Sequence, residues 1–232
     1  MKNILLFLII LSACTSEIEE VKPNSQLIIT KVEWFDVDDD RLFKTYYYEY
    51  DKNQRLIAIK NSSGFNTIEY SYKDEKVISE YDFEKLTTYT YDNELIISST
   101  NLYISNQVLI TNTYEYNSLN QLISEKSFKN DALICESNYT YNNIDNVKTE
   151  DNSCLGSAPF SFEYDNMKNR FSLHFNVGIH KIQRVGNNNQ TKVYEGNKLN
   201  HTFKYEYNDL GYPISSTVSF GVREEITYDT KY

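Results

Sequence analysis

The sequence predicts an all-β chain: a meander of antiparallel β-hairpins forming one large curled or partly closed sheet. Three observations carry that prediction. The composition is rich in Tyr (21) and Phe (12) and poor in Gly (7), Pro (3) and Met (2), which suits a pleated, half-buried surface and not a helical bundle. A triplet of aromatic, polar and aromatic residues recurs along the chain. Most of these triplets run into Asp or Asn, a short polar gap and an apolar residue, as a turn and a return strand would.

The first element is not part of the sheet. Met1-Lys2-Asn3 leads into an apolar run from Ile4 to Leu11, too short to span a bilayer as a helix. It reads as the apolar region of an export signal. Leu11-Ser12-Ala13-Cys14 resembles the bacterial lipobox, which implies removal of residues 1–13 and acylation of Cys14. The plainer alternative is a secretory signal with a chance Cys. Residues 14–27 then form a polar, acidic tether with little to bury. Its Glu17, Glu19 and Glu20 resemble the surface-export signal of Bacteroidota lipoproteins. Display on the cell surface and on the periplasmic face of the outer membrane both stay open.

Residues 28–232 hold the repeats. The second aromatic of each triplet stands at 50, 72, 91, 116, 141, 164, 207 and 228. Residues two apart in a strand share a face. The residue between the aromatics is Glu49, Ser71, Thr90, Glu115, Thr140, Glu163, Glu206 or Thr227, polar every time. That alternation marks half-buried antiparallel strands. Asp51, Asp92, Asn117, Asn142, Asp165 and Asn208 follow as turn starters, and Gln54, Asn120, Asp145 and Gly211 stand where a positive φ is required. Leu56, Leu122 and Val147 open return strands. The count comes to about 14 to 16 strands, with the ring-bearing face turned inward to hide it. One step, from Tyr164 to Tyr207, is 43 residues, twice the usual spacing. Its irregular part, 166–189, is expected to plug or cap the sheet.

"YEYDKNQRL" from Tyr48 and "YEYNDLGYP" from Tyr205 resemble the YD repeat of RHS proteins, and the chain is similar to uncharacterised Bacteroidota lipoproteins with such repeats. The resemblance implies a β-repeat fold over residues 28–232 and is nearly silent on activity.

Candidate chemistry is thin. Asp36, Asp38 and Asp40 alternate like calcium ligands, but Arg41 and Tyr47 stand where an EF-hand loop needs Gly and Glu. A solvated turn is expected there. His174, His180 and His201 match no zinc spacing. No metal site and no cofactor are expected. No nucleophile elbow or Gly-rich phosphate loop is present in the sequence. The exported setting allows a disulfide between Cys135 and Cys154. If Tyr141 opposes Val147, Cys135 falls opposite Ser153, one residue short, unless a bulge restores the match. The recurring Tyr pairs are assigned to packing. The off-register Tyr47, Tyr103, Tyr194 and Tyr212 are the candidates for stacking on a ligand.

The formal charge is −10; an acidic chain gains nothing from releasing phosphate counterions, so nucleic acid is not an expected partner. The expected function is that of a non-catalytic, lipid-anchored cell-envelope protein of the outer membrane that binds glycan, peptide or an envelope protein. The alternatives are a polysaccharide hydrolase whose site forms only in three dimensions, and a purely structural or adhesive surface protein.

Overall fold

The computed structural model describes residues 26–154, 156–173 and 177–231. The export signal, Cys14, nearly all of the tether and His174 lie outside the described residues.

Sixteen antiparallel strands follow one another in chain order and close into a barrel. They are β1 (Gln26–Asp36), β2 (Leu42–Tyr50), β3 (Leu56–Asn61), β4 (Asn66–Lys73), β5 (Lys76–Asp82), β6 (Lys85–Asp92), β7 (Leu95–Tyr103) and β8 (Val108–Tyr116). The second half is β9 (Leu122–Lys129), β10 (Ala132–Tyr141), β11 (Val147–Asn152), β12 (Phe160–Tyr164), β13 (Gln190–Glu195), β14 (Lys198–Tyr207), β15 (Pro213–Val218) and β16 (Val222–Lys231). The expected meander is present, but the sheet is fully closed and not partly open. Closure comes from β1, which pairs with β16 from Gln26↔Lys231 to Asp36↔Val222 and with β2 on its other side. It leaves no unpaired edge to template aggregation. β1 begins at Gln26, two residues before the expected domain start.

The repeat works as the alternation requires. Tyr70, Tyr114 and Tyr139 are buried, and Tyr48, Tyr50, Tyr72, Tyr89, Tyr91, Tyr116 and Tyr141 pack half-buried against the same core. Asp51, Asn117, Asn142 and Asn208 each accept, at Oδ1, the backbone N–H groups two and four residues on, at 2.9–3.1 Å. Gln54, Asn120, Asp145 and Gly211 take φ of 64°, 58°, 64° and 81°, so even the Gln adopts the left-handed turn conformation.

A bulge follows the second aromatic of each hairpin. Tyr50 opposes Leu56 while Glu49 opposes Ala58, and the same one-residue shift recurs at Tyr72, Tyr91, Tyr116, Tyr141, Tyr164 and Tyr207. The unpaired residue is Ile57, Ile78, Ile97, Ile123, Lys148, Thr191 or Ile214. A small residue often follows it (Ala58, Ser79, Ser98, Ser124, Ser215), because two side chains then crowd opposite one. These turns and bulges all lie at one rim of the barrel.

The irregular segment belongs to that rim. It interrupts the β12–β13 hairpin with a 3-10 turn (Arg170–Leu173) and a short helix, α1 (Val177–Ile182). α1 packs against β7 on the far side of the barrel. Ile179 is fully buried among Leu56, Val77, Ile96, Leu122 and Val147. The segment therefore plugs the rim, and the apolar core sits directly beneath it. Two glycines permit the close approach. A Cβ on Gly178 would lie 2.7 Å from a Tyr91 ring carbon and 2.8 Å from the Glu94 carbonyl; one on Gly186 would overlap Asn146 Oδ1.

Candidate functional site

The inner wall changes character along the barrel axis. Beneath the plug it is apolar. Farther along, the inward positions are polar: Thr87, Ser99, Asn112, Ser137 and Ser216 are all buried. They bond one another where they can, since an unpaired buried polar group is costly. Ser99 Oγ meets Tyr114 Oη at 2.9 Å and accepts from Asn112 Nδ2 at 3.2 Å, and Thr87 Oγ1 donates to Asn101 Oδ1 at 2.8 Å.

The plug sends two arginines into this lumen. Arg170 Nη1 lies 2.9 Å from Glu224 Oε2 on β16, and Ser216 Oγ donates to the same oxygen at 2.9 Å. Burial works against the Arg170 charge, but Glu224 outweighs it and holds the guanidinium above its ordinary value. Arg184 Nη1 donates to Tyr139 Oη at 2.7 Å and lies 3.6 Å from Glu125 Oε2 on β9. Burial again opposes that charge, and Tyr139, Glu150 and Glu125 restore it. Lys181 adds a rim contact to Asp145 at 2.9 Å. Pairing is the condition under which buried charges are tolerated.

Two cavities adjoin the Arg170–Glu224 pair. One, of about 340 Å³, is lined by Tyr164, Gln190, Phe203, Tyr205 and Ser216 together with Asn169 and Asn188 of the plug. The other, of about 450 Å³, is lined by Trp34, Tyr46, Tyr48, Ile59 and Ile68. Both also include Arg170, Phe171 and Glu224, so the plug's arm divides one chamber. Lys44 Nζ stands 5.1 Å from the Trp34 ring centre and 4.9 Å from that of Tyr46. Flat aromatic faces beside fixed donors and acceptors suit a polar ligand with apolar faces, such as a sugar ring or a peptide.

Two further carboxyls, Glu80 and Glu125, face the lumen. Burial raises both above the ordinary carboxylate range; Lys85 and Arg184 respectively pull them back. Each is held by a phenol: Tyr89 donates to Glu80 at 3.4 Å and Tyr139 to Glu125 at 3.3 Å. Among the described residues Glu224 is the one carboxylate lining both cavities.

The residues singled out from sequence scatter. Tyr47 is exposed on the outer wall of β2. Tyr103 ends β7 at the far rim. Tyr194, on the outer wall, donates to Glu163 at 2.9 Å. Tyr212 sits in a plugged-rim turn with Lys168 Nζ 5.0 Å from its ring centre. They form no shared platform, because off-register positions fall on different walls and different rims. Asp36 to Arg41 make the β1–β2 turn, with Asp36 Oδ1 accepting from Asp38 N at 3.0 Å. His201 faces Phe220, ring centres 5.4 Å apart.

Cys135 and Cys154 are brought face to face, with Cα atoms 5.1 Å apart, within the span a disulfide bridges. The repeat's bulge supplies the missing residue: past Tyr141↔Val147 the register moves by one, Ser137 opposes Asn152, and continuing two residues brings Cys135 opposite Cys154.

Sequence reasoning overlooked Arg170, Arg184 and Glu224. A signal existed: two of only five arginines fall in the irregular segment 166–189, and Glu224 shares the parity of Ile226 and Tyr228.

No family model and no curated protein matches the chain. Among solved structures it is similar to the crystal structure of a porin-like protein from Bacteroides uniformis, with a TM-score of 0.57 at 14% identity, over 88% of this chain and 98% of that one. At this identity the likeness concerns the barrel fold.

Proposed function

We propose that the chain is a non-catalytic, lipid-anchored barrel of the outer membrane that stands in water and holds a polar ligand, glycan or peptide, in its plugged lumen. The observation that carries this reading is the polarity of the wall. A membrane-spanning barrel turns an apolar band about 25 Å tall outward and a polar face inward. Here the aromatic rings turn inward and the outer wall carries cross-strand ion pairs: Lys60–Glu49 at 2.6 Å, Lys126–Glu115 at 2.8 Å and Lys192–Glu163 at 2.8 Å. Such exposed pairs contribute at most about 1 kcal/mol each. Their weight here is diagnostic, since each Lys at mid-bilayer would cost about 2–4 kcal/mol. Lipobox-like residues through Cys14 supply the anchor that a water-standing barrel needs.

The hydrolase alternative draws on the half-buried Glu80 and Glu125. Both face the lumen, each held by a phenol, but neither lines the two cavities. That favours binding over turnover. The test is calorimetric titration of the purified protein with envelope glycan and peptide fractions. One class should bind saturably, and Arg170→Met with Glu224→Gln should abolish it while the unfolding temperature stays near that of the parent. Release of new reducing ends or peptide termini would overturn the non-catalytic reading.

A further inference from the structure

Five of the seven bulges put an isoleucine at the same place around the plugged rim, and Lys148 and Thr191 hold the other two. Ile78, Ile97, Ile123 and Ile214 each stand unpaired just inside the rim, with 37–42% of their surface exposed. Leu119 and Leu210 project from the turn tips beside them, at 73% and 58%. Neither the packing of the lumen nor the ligand chamber uses any of these side chains. Exposed apolar side chains repeated at one level of the wall, on alternate strands, suit a contact surface.

The chain's own course says what covers it. β1 enters the barrel at this rim, where Gln26 pairs with Lys231. Residues 1–25 therefore leave from it. Resting on the reading of Cys14 as the lipid anchor, we propose that the plugged rim is seated on the bilayer that carries the anchor. The isoleucine belt is then immersed at the level of the headgroups and the first methylenes. The twelve steps from Cys14 to Gln26 reach about 40 Å when fully extended. The barrel wall, with strands tilted about 45°, is about 25 Å tall. Seating the opposite rim would require the tether to run back along the whole wall. That rim carries its own exposed Phe65, Phe83 and Phe220, which makes it the control. In this pose the acyl chains and the belt share the load, as stable anchoring by more than one signal requires. The plug faces lipid, and the ligand chamber is reached from the aqueous side.

The test uses the acylated full-length protein in vesicles of phosphatidylcholine and phosphatidylethanolamine. A polarity-sensitive fluorophore is placed on Ile97→Cys or on Phe83→Cys, and doxyl-labelled lipid serves as quencher. Flotation of the unlabelled protein reports the anchor separately. The expected result is flotation, with emission at 97 shifted to the blue and lost to the quencher while that at 83 stays aqueous. A protein that floats with both positions aqueous, or with 83 immersed and 97 aqueous, overturns the seat and leaves the anchor standing. A protein that does not float removes both.

Discussion

The second aromatic of every repeat is a tyrosine, not a phenylalanine, and in most repeats its oxygen latches a backbone carbonyl. Tyr72, Tyr91, Tyr116 and Tyr141 donate to the carbonyls of Leu56, Val77, Ile96 and Leu122 at 2.7–2.9 Å. Each acceptor is the residue opposite the second aromatic of the preceding hairpin. Tyr228 to Pro213 and Tyr50 to Ile29 carry the ring of latches across the closure seam. Beside the plug the pattern bends: Tyr205 serves Gln190 and Tyr207 turns to Asp165. Tyr116→Phe should therefore destabilise the protein by about 1–3 kcal/mol through the abandoned carbonyl, read as a lower urea midpoint at unchanged m-value. A second prediction concerns Glu80. Burial raises its folded value above the ordinary 4.5, so the folded state holds its proton more tightly than the unfolded state. Stability from this group is full below the ordinary carboxylate value and falls as pH rises through the raised one. Glu80→Gln should raise the unfolding temperature at pH 7 and leave it nearly unchanged at pH 4. The inward orientation of Glu80 could not be read from the sequence: Val77 faces inward, plain alternation would turn Glu80 outward, and only the bulge at Ile78 brings it opposite Tyr70. The inward face of its phenol partner Tyr89, a recurring aromatic, could be read.

At the scale of the element, the hairpin was legible almost completely. The polar residue between two aromatics, the Asx turn and the left-handed Asn, Asp or Gly are local requirements of one strand and one turn. The bulge was less visible, because nothing in Leu-Ile-Ala or Leu-Ile-Ser states which residue goes unpaired. That single residue decides whether Cys135 meets Ser153 or Cys154. The plug was legible as an interruption of rhythm and no further: its role depends on β7, which is remote in sequence and adjacent only once the barrel closes. Its seating rests on Gly178. Gly178→Ala puts a methyl 2.8 Å from the Glu94 carbonyl, which is backbone and cannot swing aside. The expected cost is about 1–3 kcal/mol, together with faster limited proteolysis inside 166–189 while the strand content by circular dichroism is retained.

At the scale of the molecule, closure was the part hardest to foresee. Alternation tells which residues share a face, and both an open curled sheet and a barrel satisfy it. What selects the barrel is that β1 and β16 find each other across almost the whole sequence, a pairing no local pattern encodes. The candidate site was illegible for the same reason. Arg170, Glu224, Trp34 and Tyr205 come from four distant stretches and meet only in the lumen. With the barrel closed, the account stands or falls on which side of the wall meets water. Single cysteines at Thr88 and Asn138, both exposed at mid-wall on β6 and β10, can be offered a membrane-impermeant maleimide in opened envelope fragments without detergent. The account predicts rapid modification of both, at the rate of a soluble protein. Protection of both until detergent is added would mean that lipid surrounds the wall, and would contradict it.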